Sequence, residues 1–129
     1  MSVVKQHGIG DNMTTIKEQT WSKAPIICEL NGYKWLLGPE AEQAMTWQEA
    51  IIWCHSKGGI LPPRDVLLHA YMNEDTKKEF TETGYWSSTA LTITKAWLHF
   101  FSNGSQGFYI KTNVGYVRAV RAIKLGESK

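Results

Sequence analysis

No aspartate or glutamate occurs between Gly84 and Gly126 in this 129-residue chain. A stretch without carboxylates cannot carry carboxylate acid–base chemistry on its own side chains, nor assemble a calcium cage from them. Cysteine is scarce: Cys28 and Cys54 permit one disulfide at most. Both lie in apolar surroundings, Pro-Ile-Ile-Cys and Ile-Ile-Trp-Cys-His, which favours reduced, buried thiols over a disulfide framework. No apolar run reaches the length of a membrane span, and the opening residues lack the basic and apolar regions of a secretory signal. The expected compartment is the cytoplasm, or a virus particle assembled there.

What the chain does have is aromatic surface, with six Trp, five Tyr and 43% hydrophobic residues overall. That composition predicts one folded domain with a sizeable core of its own. Charge is unevenly placed. Residues 1–45 carry four basic and five acidic side chains, and residues 46–83 carry four and six. Residues 84–129 carry six basic and one acidic. A basic final third suits an anionic surface, and it equally keeps an exposed sheet soluble.

Local patterns place the elements. Residues 1–20 are polar and without periodicity, and read as a flexible N-terminal tail. Asn31-Gly32, flanked by the apolar runs Pro25 to Leu30 and Tyr33 to Leu37, predicts a β-hairpin with a type I′ turn, and Gly38-Pro39 ends its second strand. Thr46-Trp-Gln-Glu49 is a capping box opening a helix that runs to Lys57, with Trp47, Ala50, Ile51 and Cys54 on one face. Gly58-Gly59 stops it. Pro63 opens a shorter second helix carrying Val66, Leu67, Ala70 and Tyr71. Asn73 to Thr83 reads as an exposed charged connection. Strands follow at Tyr85–Thr89, Ala96–Phe101, Gly107–Lys111 and Tyr116–Ile123, the last expected to close the same C-terminal sheet. The result is a single α+β domain over residues 21–125, with 126–129 as a C-terminal tail: an N-terminal β-hairpin, two helices and a C-terminal antiparallel meander.

The run Thr46-Trp47, Ala50, Cys54, Gly58-Gly59, Leu61-Pro62 resembles the helix segment of the Lcl C-terminal-type domains. The similarity continues through Tyr85-Trp86-Ser87-Ser88-Thr89, Ala96-Trp97, Phe101, Gly104, Lys111 and Val117-Arg118-Ala119-Val120-Arg121, so it covers residues 25–123. The resemblance implies a C-type-lectin-like fold, in bacterial and phage domains of which many have no assigned function. It implies a scaffold rather than a chemistry. The Glu-Pro-Asn or Gln-Pro-Asp loop and Trp-Asn-Asp strand with which sugar-binding relatives hold calcium are absent. Cys28 and Cys54 do not stand where the paired C-terminal cysteines of formylglycine-generating enzymes would.

Strand alternation then suggests a surface. The family pattern sets Trp97 and Phe101 on one side of their strand, together with His99, which leaves Leu98 and Phe100 on the other. With the Trp97 side packed on the helices, Leu98 and Phe100 face outward beside Tyr109 and Lys111. The candidate partner-binding residues are Lys95, Leu98, Phe100, Gln106, Tyr109, Lys111 and Tyr116, an apolar patch with a basic rim. Cover by the N-terminal tail or the 89–95 loop is the competing account of that patch. His99 itself is expected to be buried and hydrogen-bonded.

No cofactor or metal is expected, since Cys54, His55 and His69 lack ligand spacing. Ser87 and Ser88 lack the context of a nucleophile. Arg118 and Arg121, an odd number of positions apart, should leave opposite faces of their strand, one of them exposed and one pinning a loop. Lys95, Lys111, Tyr109 and Tyr116 offer only a thin version of a nucleic-acid groove. The function expected is a non-enzymatic protein-binding module, phage- or prophage-encoded and acting on a host intracellular protein in the bacterial cytoplasm. The alternatives are a virion tail or decoration module recognising a cell-surface ligand, and an enzyme of unrecognised type. No membrane partner is expected.

Overall fold

The computed structural model describes residues 18–126. Residues 18–22 are helical (α1), followed by strands β1 (Ile26–Leu30) and β2 (Tyr33–Glu40) and helices α2 (Trp47–Ser56), α3 (Arg64–Met72) and α4 (Glu74–Lys77). Strands β3 (Gly84–Ala90), β4 (Lys95–Phe100), β5 (Gln106–Ile110) and β6 (Arg118–Lys124) complete the chain. The class is α+β, with two three-stranded antiparallel sheets ordered β1-β2-β6 and β3-β4-β5.

The local signals produce what their chemistry requires. Asn31 and Gly32 both take positive φ, 56° and 85°, and turn β1 into β2. The Thr46 hydroxyl accepts from the Glu49 N–H while the Glu49 carboxylate accepts from the Thr46 N–H, so the capping box forms in full. Gly58 leaves α2 at φ 84°.

Four expectations need correction. The last strand does not close the C-terminal sheet. β6 pairs with β2 instead, Leu37 opposite Val120 and Trp35 opposite Ala122. The connection after β5 is seized on the way: Gly115 exchanges two backbone hydrogen bonds of 3.0 Å with Met45, and Tyr116 donates to Gly84 O at 3.0 Å. Once residues 115 and 116 are stitched between the two sheets, β6 can run only along β2. β2 itself continues through Gly38 and Pro39 to Glu40, with a register shift between Leu37 and Glu40 that accommodates the proline.

The 73–83 connection is not simply exposed. It contains α4, whose Thr76 is buried with its hydroxyl donating to Ala70 O at 2.8 Å, and it carries the buried Phe80, stacked on Phe101 at 3.9 Å. The tail expected over residues 1–20 lies, for residues 1–17, outside the described residues, as does most of the expected 126–129 tail. Residues 18–20 are helical, and Trp21 beside them is buried against Gly38 and Gly59.

The core has two parts, one on either side of the sheets. Trp21, Leu36, Ala50, Cys54, Leu61, Trp86, Leu98 and Ala119 form the part beneath α2. Ile27, Trp35, Leu37, Val66, Leu67, Ala70, Tyr85, Phe101 and Val120 form the part beneath α3. Sheet residues of alternating parity enter opposite clusters, so both sheets are covered on both faces where the helices reach them. β5, at the far edge of the second sheet, lies beyond that cover: Phe108, Tyr109 and Ile110 are all exposed.

Candidate partner-binding surface

Leu98 is not on an outer face: only 1% of it is exposed. The reason is a pair of glycines. A Cβ on Gly84 would stand 3.3 Å from Leu98 Cδ2 and one on Gly115 would stand 3.2 Å from it, so these residues leave the hollow that the leucine fills. Trp86, opposite Leu98 on β3, lines the same hollow and donates its indole N–H to Met45 O at 2.9 Å. Phe100 is half-buried, its ring over Gly84 and Gly107. What remains open on this side is a shallow cleft of about 180 Å³ lined by Phe100, Tyr109, Val114 and Tyr116.

Gln106 is similarly engaged. Its Oε1 accepts from Arg64 Nε at 2.7 Å, and its amide nitrogen reaches Arg64 O at 2.9 Å and His99 Nδ1 at 3.0 Å. The two contacts to Arg64 orient the amide, so the remaining N–H donates to Nδ1 and the His99 proton sits on Nε2. His99 is fully buried between the Tyr71 and Phe101 rings, with no hydrogen-bond acceptor at Nε2, and burial pushes its pKa down to about 4. A neutral ring in that slot orders β4 and β5 against α3.

The two strand arginines do leave opposite faces of β6, but both are tied down. Arg118 donates to Gly38 O at 2.7 Å, to Glu79 O at 2.6 Å and to the Glu40 carboxylate at 2.9 Å. Arg121 donates to Gly58 O and to the Glu18 carboxylate, each at 2.9 Å. Neither is a free surface cation. The same Glu40 carboxylate accepts from the Tyr85 hydroxyl, whose pKa burial pushes up to about 12.

The lysines behave differently. Lys95 Nζ lies 5.5 Å from the Phe108 ring centre, and Lys111 Nζ lies 4.1 Å from that of Trp47 while donating to Ile93 O at 2.9 Å. Arg64 rests 3.7 Å above the Trp97 ring. Cations on ring faces gain from the π quadrupole but keep their charge. Among the described residues none of these three has a carboxylate partner; Asp65, next to Arg64, accepts instead from Asn31.

The structure places Lys95 on β4 beside Phe108 and Lys111 just past β5 over Trp47, while Tyr109 and Tyr116 line the shallow cleft on the other face. Of the side chains around them Phe108 is 48%, Ile110 50% and Ile93 91% exposed. Phe108, Ile110 and Ile93 were missed by alternation, which assigned one outer face to this sheet. The signal was the unbroken run Phe108-Tyr109-Ile110. Three apolar residues in succession suggest a strand buried on both faces, but here they mark an edge strand open on both. Elsewhere, two adjoining hollows of about 490 and 470 Å³ share Gln43, Met45 and Trp53 beside α2. Among the described residues no three His, Cys, Asp or Glu side chains are grouped as a metal ion would need. No described helix is long and apolar enough to cross a membrane. Compared with known proteins, the chain matches no family model and no curated protein.

Proposed function

We propose that this chain is a non-enzymatic protein-binding module that grips its partner with the outer strands β4 and β5. One observation carries the reading: the acid-free edge strand of the second sheet exposes Phe108 and Ile110 on one face and Tyr109 on the other, with Ile93 exposed in the adjoining loop, and Lys95, Lys111 and Arg64 lie nearby without carboxylate partners among the described residues. Apolar strips with a charged rim are what protein interfaces are made of, with aromatic residues and arginine at the centre. The internal chemistry supports the non-enzymatic part. The Ser87 hydroxyl donates to Trp97 O, burial pushes the Cys54 thiol up to about 12, and His99 is neutral and enclosed. None of the three is disposed as a nucleophile beside a base.

The scaffold we propose is C-type-lectin-like, on the strength of the motif residues quoted above. Among them Trp47 donates its indole N–H to Ser87 O at 2.8 Å and Trp86 donates to Met45 O at 2.9 Å, joining the connection before α2 and the start of α2 to the second sheet. The same resemblance is the ground for proposing a phage or prophage origin, and the proposed partner is a host intracellular protein. The test is capture of protein from bacterial lysate by the immobilised chain and by a Lys95→Glu, Phe108→Ser variant. The variant should lose the captured protein with its melting temperature unchanged within about 3 °C, because neither side chain is part of the buried core. Equal capture by both proteins would remove this surface from consideration.

A further inference from the structure

We infer that β5 takes up an acidic, extended peptide segment of the partner as a fourth strand of the second sheet. The inference rests on the binding-module reading and specifies its ligand. It begins with the backbone. Phe100 N donates to Ser105 O and Lys111 N donates to Thr94 O, which fixes the phase of the β4–β5 ladder. With Trp97 opposite Phe108 and Leu98 opposite Gly107, residues 107 and 109 aim their N–H and C=O groups at β4. Gln106, Phe108 and Ile110 aim theirs the other way. Of those outward groups only Ile110 O has a backbone partner among the described residues, the Asn113 N–H.

The other edges of the sheets are partly covered, and on β6 Val120 exchanges two backbone hydrogen bonds with Ile60. β3 donates from Trp86 to Tyr116 O and from Ser88 to Pro62 O, and Asn73 Nδ2 reaches Ile26 O and Ile27 O on β1. β5 has none of the devices that blunt an edge: no proline, no bulge and no charged residue within Gln106–Ile110. It presents a row of donors and acceptors at the spacing of a strand, between apolar side chains on both faces. Such a row selects an extended peptide.

Charge selects which peptide. Lys95 and Arg64 stand on the face that holds Phe108 and Trp97, unneutralised, and no carboxylate occurs from Gly84 to Gly126 to oppose an incoming acid. A second copy of the chain would be the simplest occupant of an open edge. Antiparallel pairing of β5 with itself about Phe108 would set both copies' Lys95 and Arg64 on one face and concentrate positive charge there, with no carboxylate from Gly84 to Gly126 to offset it. An acidic segment with alternating apolar side chains meets the same groups favourably.

The experiment pans the intact chain against a displayed library of random ten-residue segments and synthesises the enriched sequences. Enrichment of Asp and Glu alternating with apolar residues is expected, with binding weakened by the Lys95→Glu, Phe108→Ser variant. N-methylation of alternate peptide amides should then weaken binding about tenfold or more in one phase and less than about twofold in the other, because a paired strand turns only one set of amides to its neighbour. Acidic peptides that need Lys95 and Phe108 but show no such alternation would overturn strand addition and leave the binding surface standing. Peptides indifferent to that variant would overturn both. Enrichment of neutral or basic sequences would overturn the acidic partner. A dimer in sedimentation that dissociates on Ile110→Pro, which removes an outward N–H and spares the ladder, would give the edge to a second copy and overturn the proposal.

Discussion

Burial of His99 should make this protein lose stability in mild acid by an amount set largely by one side chain. The ring is fully enclosed by Tyr71, Phe101 and Gln106, and its pKa falls from 6.5 to about 4 because desolvation penalises the charged form. The Gln106 amide donates to Nδ1, so protonation there would also break a hydrogen bond, and the cation Arg64 is bonded to the other end of the same amide. The unfolded chain binds a proton below pH 6.5, whereas the folded chain resists it down to about pH 4, so stability drops as pH falls through that window. Each pH unit of full difference is worth about 1.4 kcal/mol, which gives about 2.5 kcal/mol of loss between pH 7.5 and pH 4.5.

The measurement is urea unfolding at both pH values for the wild type and for His99→Asn, which places a carbonyl oxygen near the position of Nδ1 and cannot titrate. The variant pays a packing cost against Tyr71 and Phe101 at both pH values, so only the change with pH is compared. The wild type should lose about 2.5 kcal/mol more than the variant on acidification. Parallel losses in the two proteins would mean that His99 takes up its proton in the folded state, and the account of the buried network would fail.

Two further outcomes test the packing. Leu98→Ser should destabilise the fold by about 3–5 kcal/mol in thermal or urea unfolding, since it empties a hollow and buries a hydroxyl there, while Phe108→Ser should change stability by about 1 kcal/mol or less. Gly115→Ala should cost about 1–3 kcal/mol, because its Cβ would lie 2.9 Å from Trp86 Nε1 and the indole is held by Met45 O.

The features legible in the sequence are those whose cause is local. Asn31-Gly32 needs no distant contact to form its turn, and Thr46 and Glu49 cap α2 with groups three residues apart. The partner of β6 was not legible, because nothing within Arg118–Lys124 distinguishes β2 from β5 as a neighbour. That choice is made by Gly115 and Tyr116, through hydrogen bonds to Met45 and Gly84 that are distant in sequence. α4 hid behind its polarity, although Asn73 was a visible cap and accepts from the Asp75 N–H. The placement of Leu98 failed for a further reason. Alternation separates two faces of a strand without saying how many are covered, and this sheet is covered on both until it reaches β5.

The tryptophans are tied to the backbone path in a way that the exposed residues of β5 are not. Trp21, Trp35, Trp47 and Trp86 each donate the indole N–H to a backbone carbonyl, of Lys57, Leu30, Ser87 and Met45 respectively. Each therefore needs a fixed carbonyl as well as a hollow, which ties its identity to the backbone path. Trp47 and Trp86 belong to the run of motifs on which the proposed scaffold rests, and each is held by its carbonyl to one backbone path. Phe108, Tyr109 and Ile110 carry no such constraint: their side chains face solvent, and several apolar residues could replace them without disturbing the ladder. On the proposed reading, selection of a partner falls to those replaceable positions and to the lysines beside them. The tryptophans bear on the backbone path alone, and the proposed binding edge had to be located from the β4–β5 ladder.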